Sequence, residues 1–295
     1  MFANSNLTLF PDGVKLTGNL SSCFADTPIQ SIDLTELNSN NLNNTFNNCK
    51  HLTYVKVNEN FGKGVTSFNY TFSNCNNLKS LDYINVSDCT HLGNCFTLCK
   101  KLEYVPPIDI SNILYANNLF EECNSLKSVT ITGDYSKIAN NNNMFTGCDS
   151  LTYLSIPEDF PIISTSYGYG IIEGIKVPKI IGSFNYKSVT AYGTQYYYWI
   201  CGFSQNTYTR YMIIKNLGYY QSGSYLNMEY SRVWGIANDE VPDARQSLID
   251  SLITYSFDRA TAGYSTMTMK LYKDVKALLT EDEIAQITAK GYTLI

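Results

Sequence analysis

Apolar positions in the first half of the chain recur at a long fixed interval, longer than the period of any single helix or strand. Five phenylalanines set the frame, Phe46, Phe72, Phe96, Phe120 and Phe145, separated by 26, 24, 24 and 25 residues. Three residues after each stands a cysteine (Cys49, Cys75, Cys99, Cys123, Cys148), and three further on a leucine (Leu52, Leu78, Leu102, Leu126, Leu151). Another three bring an aliphatic residue: Val55, Leu81, Val105, Val129 or Leu154. The phrase F-x-x-C-x-x-L-x-x-[LV] is met five times, with polar, Asn-rich runs such as SNNLNN between. Alternation after each leucine predicts short strands over 52–57, 78–84, 102–108, 126–131 and 151–156.

A repeat of this length with leucine leading an apolar alternation predicts a leucine-rich-repeat solenoid. One coil of about 25 residues cannot enclose a core, whereas stacked coils bury each other's Phe, Cys and Leu in continuous ladders. Equivalent strands then pair as a parallel β-sheet, with an irregular or short helical convex side. Residues 23–34 form a degenerate first coil, in which Phe24, Ile29, Ile32 and Leu34 echo the pattern. The expected layout is an N-terminal cap with that coil (1–35), five regular repeats (36–160), an irregular Tyr-rich continuation (161–240) and a C-terminal helix-strand cap (241–295).

Beyond Pro157 the strict period is lost, yet strand-like runs persist at 170–181, 196–203, 210–218 and 232–237. They extend the solenoid or form a separate β domain; continuation is the favoured reading. Two helices follow. Residues 244–255 place Leu248, Ile249, Leu252 and Ile253 on one face, with Asp243 as N-cap. Residues 280–292 carry a capping box, Thr280 with Glu283, an apolar stripe at Ile284 and Ile287, and Gly291 just past the end. The terminal Tyr-Thr-Leu-Ile returns as a strand, and this α/β segment is expected to cap the open end of the stack.

The chain has nine cysteines, and five of them occupy one repeat position. Stacked equivalents point the same way, which suits packing as small buried hydrophobes better than disulfides. A bridge from Cys89 to Cys95 or Cys99 in an oxidising setting is the alternative. Only Cys95 and Cys99 approach metal-ligand spacing, and His51 and His91 are the only imidazoles. Neither a metal nor any other cofactor is expected, and both histidines read as solvated turn residues.

With the Asn-rich lead-in, this phrase and period resemble the BspA-type leucine-rich-repeat family over residues 20–160. The resemblance implies an adhesion or recognition module of bacterial or protist surfaces, related to repeats carried by phages of gut bacteria, without catalytic residues. One departure is the family's Leu-Asp-Leu-Ser run, which decays here to forms such as VKVN, PIDIS and VTITG. The segment from SLIDSLITYSFDR to the C-terminus is similar to modules attached to such repeats in gut bacteria and their phages.

Charge narrows the partners. Residues 1–160 carry 9 Lys+Arg against 15 Asp+Glu, and the remainder 12 against 11, so neither half has the basic field a nucleic acid needs. No apolar run reaches the ~20 residues of a membrane span, and the N-terminal residues lack the pattern of a secretory signal. No nucleophile elbow, zinc-protease helix, phosphate loop or dinucleotide fingerprint occurs. The expectation is therefore a non-enzyme. The likeness of the C-terminal segment to phage-borne modules, with the lack of an export pattern, implies a phage virion component (fibre, spike or decoration). It is expected to hold a host surface protein or glycan, to contact other virion or surface proteins and to be able to form a homo-oligomer. A bacterial cell-surface adhesin is the first alternative and a glycan-degrading β-solenoid the second. Candidate binding residues are the outward strand positions Tyr54, Lys56, Tyr104 and Tyr153, which alternate with Ser80 and Ser128, and the aromatic run Tyr196, Tyr197, Tyr198 and Trp199. Tyrosine offers a rigid apolar face with a hydroxyl, the chemistry of recognition surfaces.

Overall fold

A computed structural model describes residues 1–161, 171–172, 175–185, 208–217, 225–228 and 231–295, in two compact units, Met1–Thr152 and Tyr153–Ile295. The first unit is a stack of coils with no helix among its residues. Its strands are β1 (Thr17–Asn19), β2 (Ser31–Asp33), β3 (Asn38–Asn41), β4 (Tyr54–Lys56), β5 (Ile108–Asp109) and β6 (Ser128–Thr132). They pair in parallel, β1 with β3, β2 with β4 and β5 with β6, in the register Ser31 to Tyr54 and Ile108 to Ile131. The strands expected over 78–84 and 102–108 shrink to the single bridge Ser80–Tyr104 and to β5. Pro106 and Pro107 explain the loss, since neither has an N–H to give the neighbouring coil.

The repeat phrase builds the interior. All fifteen of its Phe, Cys and Leu side chains are buried, as are Phe24, Ile29, Ile32 and Leu34 of the first coil. The rings form one stack, Phe24, Phe46, Phe72, Phe96, Phe120 and Phe145, at successive centroid distances of 5.4, 5.5, 5.6, 5.6 and 6.0 Å and near-parallel planes. Phe2 extends it at 5.3 Å and Phe10 closes it edge-on. Between coils the backbone is tied at the same place each time. The N–H groups of Phe46, Phe72 and Phe96 donate to the carbonyls of Thr71, Cys95 and Leu119 at 2.9, 2.9 and 3.0 Å.

That geometry accounts for the asparagines that recur at fixed places in the coil. In each coil two residues four apart adopt left-handed backbone: Asn44 and Asn48, Tyr70 and Asn74, Asn94 and Leu98, Asn118 and Glu122, Asn143 and Gly147, all with φ between 54° and 74°. Asparagine tolerates this region better than other residues with a β-carbon. The cysteines also do more than fill space. Each thiol donates to the Phe carbonyl of the coil before it, Cys49 to Phe24 and Cys99 to Phe72 at 3.0 Å, Cys75 to Phe46 and Cys148 to Phe120 at 3.1 Å. The same Phe46 carbonyl accepts the Cys49 N–H at 3.1 Å, so both of its lone pairs are used.

The second unit holds β7 (Tyr153–Ser155), β8 (Phe160–Pro161), β9 (Lys179–Asn185) and β10 (Tyr211–Lys215), all parallel, with β9 pairing to the other three. A further parallel sheet joins β11 (Tyr225–Met228), β12 (Met267–Leu271) and β13 (Tyr292–Leu294). Among the described residues of 170–181 the expected strand begins at Lys179, and residues 232–237 form a turn (232–235) and irregular chain instead of a strand. Gly235 sits there at φ 79°, and a β-carbon on it would lie 2.8 Å from Leu248, so the chain bends where the helix approaches. Trp234 is buried beside it, its indole N–H on the Met212 carbonyl at 3.1 Å.

The expected helix over 244–255 is split into α1 (Ala244–Ile249) and a π-helical turn, Asp250–Thr254. Asp243 makes no side-chain cap; its carboxylate pairs with Lys179 at 2.5 Å instead. The buried face is Ala244, Ser247, Leu248, Ser251 and Leu252, with Ile249 and Ile253 half-buried. The rotation follows from Ser251, whose Oγ accepts the Ile214 N–H of β10 at 3.0 Å. A short α2 (Lys273–Lys276) precedes α3 (Glu281–Ala289), which has the Thr280–Glu283 capping box, buries Ile287 and ends before Gly291 at φ 91°.

Candidate functional site

The outward positions of the first unit's strands form a column of alternating character. Tyr54 and Tyr104 are 49% and 46% exposed, whereas Ser31, Ser80 and Ser128 at the equivalent positions are half-buried. Register sets the alternation, because Ser31 pairs with Tyr54 and Ser80 with Tyr104. At about 4.8 Å per coil, the two tyrosines stand about 10 Å apart with a serine between them. Two residues along, exposed Lys56 donates to Asp33 at 2.7 Å. That bond, with a second from Thr35, holds the Asp33 carboxyl down at about 2. Lys127 and Glu103 pair on the column to the other side. The face is thus aromatic and hydroxyl-bearing, with its charges largely matched.

Tyr153 lies on β7 of the second unit and is 45% exposed. Tyr196, Tyr197, Tyr198 and Trp199 lie outside the described residues.

A second column went unread in the sequence. Ser67, His91, Tyr115 and Asn140 bridge from coil to coil in parallel, at spacings of 24, 24 and 25 residues that match the phenylalanine frame. The His91 ring lies 4.9 Å from that of Tyr115, and its Nδ1 hydrogen-bonds Thr90 Oγ1 at 2.7 Å. His91 is therefore half-buried in a ladder and not a solvated turn residue; His51 is exposed. Comparing every residue type in phase with the Phe period would have found this column.

Nucleophilic chemistry has no support in the cysteine ladder. All eight described cysteines are free and buried, so the alternative bridge from Cys89 to Cys95 or Cys99 is not formed. Burial pushes the Cys89 thiol up to about 11 and Cys99 to about 12, which keeps them protonated and unreactive at neutral pH. Among the described residues no cluster of His, Cys, Asp and Glu suits a metal ion.

The model of the BspA type leucine-rich repeat region matches residues 1–103 and 68–190, in six copies. The chain belongs to the BspA-type leucine-rich-repeat family. The match begins at residue 1 and so takes in the Phe24 coil, where Thr27 replaces the cysteine and its hydroxyl donates to the Phe24 carbonyl at 2.7 Å. No curated protein and no solved structure matches the chain. BspA-type repeats are found in surface-associated, adhesion-type proteins, and such solenoids are typically non-catalytic. No helix among the described residues is long and apolar enough to cross a membrane.

Proposed function

We propose that this chain is a non-catalytic recognition module whose strand face holds a surface ligand, a glycan or a host protein, through Tyr54, Lys56 and Tyr104. The observation that carries the reading is the exposure of two tyrosines at one register position, spaced by a half-buried serine. Isolated exposed aromatics are ordinary, but a periodic row on a rigid sheet gives preorganised contact area at little entropic cost. A glycan and host-surface-protein array, probed with the wild type and a Tyr54→Ala/Tyr104→Ala variant, tests it. Retained binding by the variant removes the face from consideration.

For the carrier we infer a phage particle, on which the module serves as fibre, spike or decoration and touches other virion proteins. The likeness of the C-terminal segment to phage-borne modules supports this placement. Mass spectrometry of purified particles decides it: peptides of this chain are expected there, and their confinement to a bacterial envelope fraction would move the module to the cell surface.

A further inference from the structure

The second unit carries a groove of about 630 Å³ that the recognition face does not use. One wall is the segment that leaves the π-helical turn. The Tyr255 N–H donates to the Asp250 carbonyl at 2.8 Å, which ends the turn, and Tyr255 follows it into the groove with 40% of its surface exposed. Such turns are rare and concentrate at functional sites, where they re-aim a side chain. The segment is held firmly: Asn216 N–H donates to the Tyr255 carbonyl at 2.8 Å, and Phe257 N–H to the Leu217 carbonyl at 3.0 Å. Two lining residues, Asp159 and Asn216, are left-handed at φ 61° and 55°.

We propose that this groove binds a neutral saccharide, with Tyr255 as the stacking face and Asp258, Thr261 and Asn216 as partners of its hydroxyls. The polar lining combines acceptors with groups that both donate and accept, which is what vicinal hydroxyls require. Asp258 is already oriented, accepting the Thr261 N–H and the Thr261 hydroxyl at 2.9 Å each, with a further backbone bond from Ala260; a carboxylate has lone pairs for about four such bonds. Asn216 is fixed by its Nδ2 bond to Asn185 at 3.0 Å. Charge excludes anionic ligands. Lys215 is the one cation among the lining residues, and it is tied to Glu158 at 3.0 Å and Asp159 at 3.2 Å. Its ammonium also lies 5.3 Å from the Tyr255 ring centroid, which steadies the ring.

The test uses the full chain and saturation-transfer NMR with glucose, galactose, mannose and N-acetylglucosamine, alongside sialic acid and spermidine. At least one neutral sugar is expected to receive saturation, with sialic acid silent. Tyr255→Ala should weaken binding about tenfold and Tyr255→Trp retain it; Asp258→Asn should also weaken it, with melting curves showing each variant folded. The same series is read in the Tyr54→Ala/Tyr104→Ala background, where the strand face no longer contributes. Saturation of a neutral sugar should persist there with Tyr255 intact and fall with Tyr255→Ala, which separates this groove from the strand face. Silence from every neutral sugar, binding of sialic acid or spermidine alone, or undiminished binding by folded Tyr255→Ala and Asp258→Asn overturns the proposal.

Discussion

Replacing Phe96 by alanine removes one ring from the middle of the stack. The ring is fully buried, with Phe72 at 5.6 Å and Phe120 at 5.6 Å on its two faces. Truncating a core phenylalanine costs about 3–5 kcal/mol, and aromatic neighbours contribute ~0.5–1.5 kcal/mol each beyond burial. With two such neighbours Phe96→Ala belongs at the top of that range, about 4–5 kcal/mol. Phe2→Ala is the control. It has one stacked neighbour at 5.3 Å, an edge contact to Phe10 at 5.6 Å and partial exposure. Its loss should be about 1–2 kcal/mol. Phe96→Leu, which keeps apolar volume and forfeits the ring contacts, should recover half or more of the Phe96→Ala deficit. Urea unfolding followed by circular dichroism measures all three, with an unchanged denaturant slope as the sign that only stability moved. Equal losses at Phe2 and Phe96, or a Phe96→Ala cost under about 1 kcal/mol, would refute the shared interior.

Other consequences follow from the same coils. Cys49, Cys75, Cys99, Cys123 and Cys148 should resist iodoacetamide in the native protein and react only on unfolding, as read by mass spectrometry, because burial raises their thiols. Asn143, at φ 54°, should tolerate glycine within ~0.5 kcal/mol, while Asn143→Val should cost about 1–2 kcal/mol in urea melts. The Asp33 carboxyl is depressed in the folded chain to about 2, chiefly by Lys56. Its contribution is therefore complete above the ordinary carboxylate range and fades as pH falls towards 2. Since Lys56 is half exposed, that contribution is about 0.5–1 kcal/mol; Asp33→Asn should lose it at pH 7, leave stability nearly unchanged at pH 2, and show less effect in high salt.

The periodic part of the fold was legible because Phe, Cys and Leu each have one physical role repeated in register. Less was legible where meaning depends on backbone shape. Asn44, Asn118 and Asn143 read only as polar filler until the coil shows them in left-handed backbone. The cysteines read as small hydrophobes, and only coordinates place each thiol on a carbonyl one coil away. In the second unit no period guides the reading. The pattern in 244–255 gave a straight helix, yet the pull of Ile214 on Ser251 turned its face and its end became a π-helical turn. For the same reason Tyr255 was read as the end of a helix and not as the wall of a groove. The strand-face positions Tyr54, Ser80, Tyr104 and Ser128, with Lys56 beside them, were legible from alternation alone, whereas the His91 and Tyr115 column required the coils to be stacked.

The stacking itself is open to a direct distance measurement. Gln30 and Thr152 are exposed, and backbone bonds such as Thr53 N–H to the Gln30 carbonyl at 2.9 Å and Thr152 N–H to the Lys127 carbonyl at 3.0 Å put them on one column at its two ends. Spin labels attached through Gln30→Cys and Thr152→Cys, five coils apart, should give a narrow electron–electron distance distribution centred at about 24 Å. A broad distribution, or a mean beyond about 40 Å, would contradict coils that share one interior.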